Sequence, residues 1–159
     1  MPGITYVRGD ATTPLGEGVK IIAHVVKDMG GRGKGFVLAP SRRRPEPEAA
    51  YRAWHRARAD NDFGLGAAQF VRVGPYLRAA NLVGRHGTRS GSKGAPVRYE
   101  AIDTALGLLA DQALELEASV HVPRIGCGLA GGRWSRVEPL TADRLVRRGI
   151  PVTVDDHGD

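Results

Sequence analysis

The residues best suited to chemistry lie between Val120 and Ser135. The alternating apolar segment Val120–Val122 reads as a short buried strand. Directly after it, Gly126, Gly128, Gly131 and Gly132 put four glycines into seven residues. A polar, helix-compatible pattern begins after Trp134. Strand, glycine loop and helix in that order suits a phosphate, because glycines let several backbone N–H groups converge on one concavity with no Cβ in the way. The start of the helix adds a partial positive charge. A tight structural turn would also account for one such cluster. A second one stands upstream, however: Gly30, Gly31, Gly33 and Gly35 alternate with Arg32 and Lys34 after the apolar run Val19–Val26. Two such loops facing one crevice imply a ligand with a diphosphate or with more than one phosphate.

Other reactive side chains are sparse. Cys127 is the single cysteine, which excludes an intramolecular disulfide and a multi-cysteine zinc site and fits a reducing compartment. As a nucleophile it would need a nearby base, and it reads better as a small loop residue. His24, inside an apolar strand, reads as a packed polar residue. No His, Asp and Glu residues recur at metal-ligand spacing, so neither metal nor cofactor is expected. The formal charge of +6 favours anionic partners. Arg42-Arg43-Arg44 has the look of a solvated face. Aromatic residues do not alternate with arginine as a base-stacking platform requires, so specific nucleic-acid binding is not expected, although a basic surface leaves room for it.

These residues need a frame. At 159 residues the chain suits one domain, 1–159, with room for a proper core. No apolar run approaches the ~20 residues of a membrane span, and the first residues lack a signal-peptide pattern, so a cytoplasmic, monomeric protein is expected. Ile4–Arg8 is β-rich and ends at the turn signal Gly9-Asp10. Val19–Val26 suits a central strand buried on both faces. Glu48–Ala59 has helical composition. Ala68–Val73 and Tyr76–Val83, joined by Gly74-Pro75, suggest a hairpin. In Arg98–Ala118, Tyr99, Ile102, Ala105, Leu106, Leu109, Ala113 and Leu116 recur at helical spacing. Ser135 and Glu138 stand at capping-box spacing, with Pro139 expected in the first turn and Gly149 as the stop. Ile150–Val154 is a last strand. The order β, β, α, β, β, α, β, α, β predicts an α/β fold, a three-layer α/β/α sandwich with a mixed central sheet. Ligands of such sheets gather outside the strands' carboxyl ends, where both glycine loops begin.

With these residues in place, the chain resembles a macrodomain from Ile4 to about Val154. The resemblance rests on Val7-Arg8-Gly9-Asp10, Ile22-Ala23-His24, Gly33-Lys34-Gly35, Tyr76 to Val83, Tyr99-Glu100, and Pro123 to Leu129 with Trp134. It is strongest toward the subgroup of the chromatin-remodeller macrodomain and terminal ADP-ribose protein glycohydrolase. The DNA ADP-ribosyl glycohydrolase antitoxins stand in the same neighbourhood. It implies an ADP-ribose site formed by Asp10, Ala11, Ala23, Gly33, Lys34, Gly35, Ile125, Gly126, Cys127, Gly128 and Leu129. Asp10 matches the acidic residue that accepts from the adenine amino group, Gly33-Lys34-Gly35 the first diphosphate loop, and Gly126 to Leu129 the second, which also wraps the distal ribose.

The chain departs from that subgroup where its chemistry resides. In the glycohydrolase it resembles, a lysine attacks the distal ribose and an aspartate assists. Ala130 stands at the aspartate's position, and the lysine's falls at about Gly84 to His86, where Arg85 and His86 are the candidates. Arginine stays protonated and cannot act as that nucleophile. Asn81 is only a loose analogue of an asparagine that positions water. The resemblance therefore implies a bacterial ADP-ribose-binding module acting on ADP-ribosylated proteins. It would hydrolyse mono-ADP-ribose from glutamate or aspartate esters by a positioned water, or else read ADP-ribose without cleaving it. Gly128→Glu should fill the second loop and set a negative charge beside the diphosphate. Calorimetry should show ADP-ribose binding lost, with an intact circular dichroism melt; a folded variant that binds like the parent would remove the second loop from the site.

Overall fold

The computed structural model describes residues 3–7, 18–28, 46–86, 98–123 and 133–155. Six strands form one sheet: β1 (Ile4–Val7), β2 (Lys20–Lys27), β3 (Ala68–Gly74), β4 (Leu77–Arg85), β5 (Ser119–Pro123) and β6 (Val152–Asp155). Among the described residues, three α-helices accompany them: α1 (Glu46–Arg56), α2 (Tyr99–Leu116) and α3 (Trp134–Arg144). The spatial order is β1-β6-β5-β2-β4-β3. All pairings are parallel except the β3–β4 hairpin, so the sheet is mixed, as the order of elements predicts.

Strand β2 sits between β5 and β4. Its continuous apolar run reflects burial on both faces. Ile21 and Ala23 join the main core with Ala80 and Leu82 of β4, Val120 and Val122 of β5, and Ile102, Leu106 and Leu109 of α2. Val137 of α3 and Leu145 complete that face. The alternate residues Val26 and Val83 turn to the opposite face, where they meet Tyr51 and Trp54 of α1. Helices thus cover both faces of the sheet, and the α/β/α layering follows from the period-two alternation of two central strands.

Two helix-end expectations change. The N-cap of α3 is Arg133, with no side-chain cap. Glu138, expected to reach back in a capping box, instead accepts a hydrogen bond from the Tyr6 hydroxyl of β1. Pro139 lies inside α3 rather than in its first turn. The α-helix closes at Arg144, a 3-10 turn over Val146–Arg148 follows, and Gly149 ends it with φ +81°. That left-handed value is why a glycine makes this stop.

The fit of α2 against β4 depends on Gly84. A Cβ there would lie 2.7 Å from Cγ1 of Ile102 and 3.1 Å from Cγ1 of Val25. Neither is the free end of a flexible chain, so Gly84→Ala should destabilise the protein by about 1–3 kcal/mol through overpacking. In contrast, a Cβ at Gly107 of α2 has the flexible Arg144 side chain as its nearest neighbour, with Nη1 at 3.4 Å. Gly107→Ala should gain about 0.5–1 kcal/mol of helix propensity. Urea unfolding of the two variants tests this; shifts of the same sign would contradict it.

Candidate functional site

Because β1, β6, β5, β2 and β4 are mutually parallel, their carboxyl ends share one edge of the sheet. Val7, Asp155, Pro123, Lys27 and Arg85 mark that edge. Segments 8–17, 29–45, 87–97 and 124–132 contain Asp10, Ala11, Gly33, Lys34, Gly35, Ile125, Gly126, Cys127, Gly128, Leu129 and Ala130, all of which lie outside the described residues. Three of the sequence-derived candidates are described: Ala23, Arg85 and His86. Ala23 lies within β2 and is fully buried in the main core, so its side chain contributes packing. Arg85 and His86 stand at the carboxyl end of β4.

The ends of β2 and β4 are tied together. Lys27 pairs in register with Arg85, and the Asp28 backbone N–H donates to the Arg85 carbonyl at 2.9 Å. One step further, Nδ1 of His86 lies 2.6 Å from Oδ2 of Asp28. An ionised carboxylate only accepts, so Nδ1 carries the proton in this bond and Nε2 is left as the basic nitrogen. His86 is exposed, whereas the Asp28 side chain is only 17% exposed.

Beside this pair stand two buried cations. Lys27 is 6% exposed and Arg85 9%. Burial, and then the nearby Arg85 charge, hold the Lys27 ammonium below its ordinary pKa. Burial likewise lowers that of Arg85. The buried Nε of Arg85 has no hydrogen-bond partner among the described residues, and a donor left in that state is costly. Tyr51 of α1 donates its hydroxyl to the Lys27 carbonyl at 2.7 Å. Burial pushes the Tyr51 phenol up to about 12, the Arg85 charge opposes that shift and the Asp28 charge adds to it. The phenol therefore senses both the cation and the carboxylate, which places them in one locality. Sequence reasoning passed over Lys27, Asp28 and Tyr51. The readable signal was the Lys27-Asp28 pair, two charges set directly where an apolar central strand stops.

On the rim, the indole N–H of Trp134 donates to the Tyr6 hydroxyl at 3.0 Å, and their rings meet edge to face. The Tyr99 hydroxyl accepts the Arg133 backbone N–H at 3.0 Å, and the Arg136 guanidinium lies over the Tyr99 ring. These contacts fix the first turn of α3 against β1 and α2, where segment 124–132 rejoins the described chain. Among the described residues no group of three or more His, Cys, Asp or Glu is placed to hold a metal ion.

No family model matches the chain. Its structure superposes on that of a macrodomain protein from Streptomyces coelicolor with a TM-score of 0.87 and 70% identity, covering 98% of this chain and 99% of that one. The chain belongs to the macrodomain family. This macrodomain is also 33% identical over 162 residues to mouse (Mus musculus) chromodomain-helicase-DNA-binding protein 1-like, a match that takes in 95% of this chain. The chain spans only 17% of that relative's length and 15% of its Danio rerio counterpart's. The Thermosipho africanus DarTG structure, in complex with ADP-ribose, shares the fold at 17% identity and a TM-score of 0.77, over 98% of this chain and 42% of that one.

Two polar side chains in the macrodomain's centre do not belong to the site. Asn81 is fully buried. Its amide donates to the Pro47 carbonyl and to Gln69 Oε1, and its oxygen bonds His24 Nε2 at 2.7 Å. With its oxygen and both amide hydrogens engaged in the core, Asn81 does not present itself to a water at the sheet edge. His24 is the packed polar residue its surroundings suggest.

Burial lowers the pKa of His24 to about 4, with the Asn81 bond opposing. Burial, then the Lys20 charge, lowers His121 to about 4 as well. An unfolded histidine titrates near 6.5, so between pH 6.5 and 4 the unfolded chain binds protons that the native one refuses. This contribution is fully present above pH 6.5 and is lost as the pH falls toward 4. It should amount to roughly 2–3 kcal/mol per histidine. Urea midpoints at pH 7.5 and 4.5 should show that loss, and His121→Gln should reduce it; an undiminished pH dependence in the variant would refute the assignment for His121.

Proposed function

We propose that this macrodomain binds ADP-ribose and hydrolyses mono-ADP-ribose from glutamate or aspartate esters of modified proteins, with water as the attacking group. The observation that carries this reading is the single sheet edge from which both glycine-rich segments depart and at which Lys27, Asp28, Arg85 and His86 collect. Glycine loops supply backbone donors for a diphosphate, and Asp10, three residues past the end of β1's register with β6, is assigned to the adenine amino group. The ADP-ribose in the Thermosipho africanus DarTG complex supports the ligand class. Rate would come from holding C1″ near a water and from electrostatics.

The absence of a lysine from Gly84 to His86, the stretch expected to hold a nucleophilic one, supports water over a covalent intermediate. A glycosyl ester is the easier bond for such a site, since its leaving carboxylate departs as an anion without needing a proton. The reaction is complete without metal or cofactor. The reading takes the protein as a cytoplasmic monomer; among the described residues no helix is long and apolar enough to cross a membrane. ADP-ribosylated proteins are its proposed partners.

Ala130 and the absent lysine favour a second reading, a module that recognises ADP-ribose without cleaving it. A protein carrying glutamate-linked mono-ADP-ribose separates the two. Hydrolysis predicts release of free ADP-ribose with repeated turnover above an enzyme-free control, together with saturable calorimetric binding of ADP-ribose. Binding without release would select the reader, and absence of binding would overturn both.

A further inference from the structure

We infer that His86, held by Asp28, is the general base that takes the proton from the attacking water. This rests on the hydrolase reading and names the group that performs its proton transfer. The two residues follow the carboxyl ends of adjacent central strands, β2 and β4, at the edge where ligands of parallel sheets bind. Their approach is built into the backbone: the Asp28 N–H bond to the Arg85 carbonyl fixes the two strand ends one residue before the side chains meet. The 2.6 Å contact then runs from Nδ1 to a carboxylate oxygen. That contact fixes the ring's tautomer and orientation, leaving Nε2 as an acceptor on a side chain that is 60% exposed. A base must be reachable by water and its orienting acid must be held firmly, and this split in exposure between His86 and Asp28 meets both needs.

The step balances without another reactant. The water oxygen bonds to C1″ as its proton passes to His86 Nε2. The bond from C1″ to the ester oxygen breaks, and its electron pair leaves on the protein carboxylate. The imidazolium then returns its proton to solvent. Lys27 and Arg85 supply positive charge to the same locality, where negative charge develops on the departing carboxylate. Among the described residues, Tyr51 and His55 of α1 both sense the Asp28 charge, and Lys27 and Arg85 directly precede Asp28 and His86 at the ends of β2 and β4.

The test uses the whole chain, a protein bearing glutamate-linked mono-ADP-ribose, and calorimetry with free ADP-ribose. His86→Gln should lower kcat for release by about 10²–10⁴-fold and leave the Kd for ADP-ribose within about threefold. The parent's kcat should fall on the acid side through one ionisation, and that limb should vanish in His86→Gln. Asp28→Asn keeps an acceptor for Nδ1 but removes the carboxylate's charge from the 2.6 Å contact, so kcat should fall while the Kd for ADP-ribose stays at the parent's value. A merely structural role for Asp28 would change binding and release together. Parental release by a folded His86→Gln would overturn the inference while leaving ester hydrolysis intact. Equal loss of binding and release would make His86 a binding residue, which also overturns it. If the parent itself releases nothing, the hydrolase reading falls and this inference with it.

Discussion

Burial of β2 on both faces is the constraint from which the other arrangements follow. A strand covered by helices above and below can keep a polar side chain only if that side chain is neutral or fully bonded. His24 meets this condition by staying neutral and bonding Asn81, and Asn81 in turn engages Gln69 and the Pro47 carbonyl. The hairpin strand β3 and the start of α1 are thereby bound to the central strands. Charge enters β2 only at its two ends, as Lys20 at the amino end and as Lys27, followed by Asp28, at the carboxyl end. Polarity is therefore concentrated where the layers open.

Ion pairs between the helices add little to this frame but fix their packing. Arg144 of α3 makes a two-pronged bond to Asp103 of α2, at 2.8 and 3.0 Å, and that contact holds the Asp103 carboxyl below its usual pKa. Arg148 reaches Asp111 of the same helix. Such partly exposed pairs are commonly worth ~0–1 kcal/mol. The apolar contacts of Ile102, Leu106, Leu109, Val137 and Leu145 dominate that face.

The order of the six described strands and three described helices was legible because their apolar periods differ. The run Val19–Val26 marks a strand buried on two faces, and the spacing of Ile102, Leu106 and Leu109 marks a helix buried on one. The helix ends were less legible. Ser135 and Glu138 have capping-box spacing, but the Tyr6 hydroxyl, more than a hundred residues away in sequence, claims Glu138. The site divided in the same way. Local composition pointed to the glycine loops, and the resemblance to macrodomains singled out Arg85 and His86. Asp28 gains its meaning only when β2 and β4 pair in parallel and bring it to His86, a contact that no local pattern encodes. Tyr51 likewise falls inside the helical stretch Glu48–Ala59, and only the fold brings its hydroxyl to the end of β2.

The Tyr51 bond to the Lys27 carbonyl also makes the two helical layers unequal. On one face, α2 and α3 touch the core and each other, so a change there is felt as a gain or loss of folding free energy. On the other, α1 reaches through Tyr51 to the last residue of β2, one peptide unit from Asp28. A substitution that tilts α1 by a fraction of an ångström is therefore delivered to the strand end that aims the carboxylate. The α2–α3 layer serves as the protein's ballast and α1 as its tiller. Variation that tunes the candidate site without touching it has a route through α1.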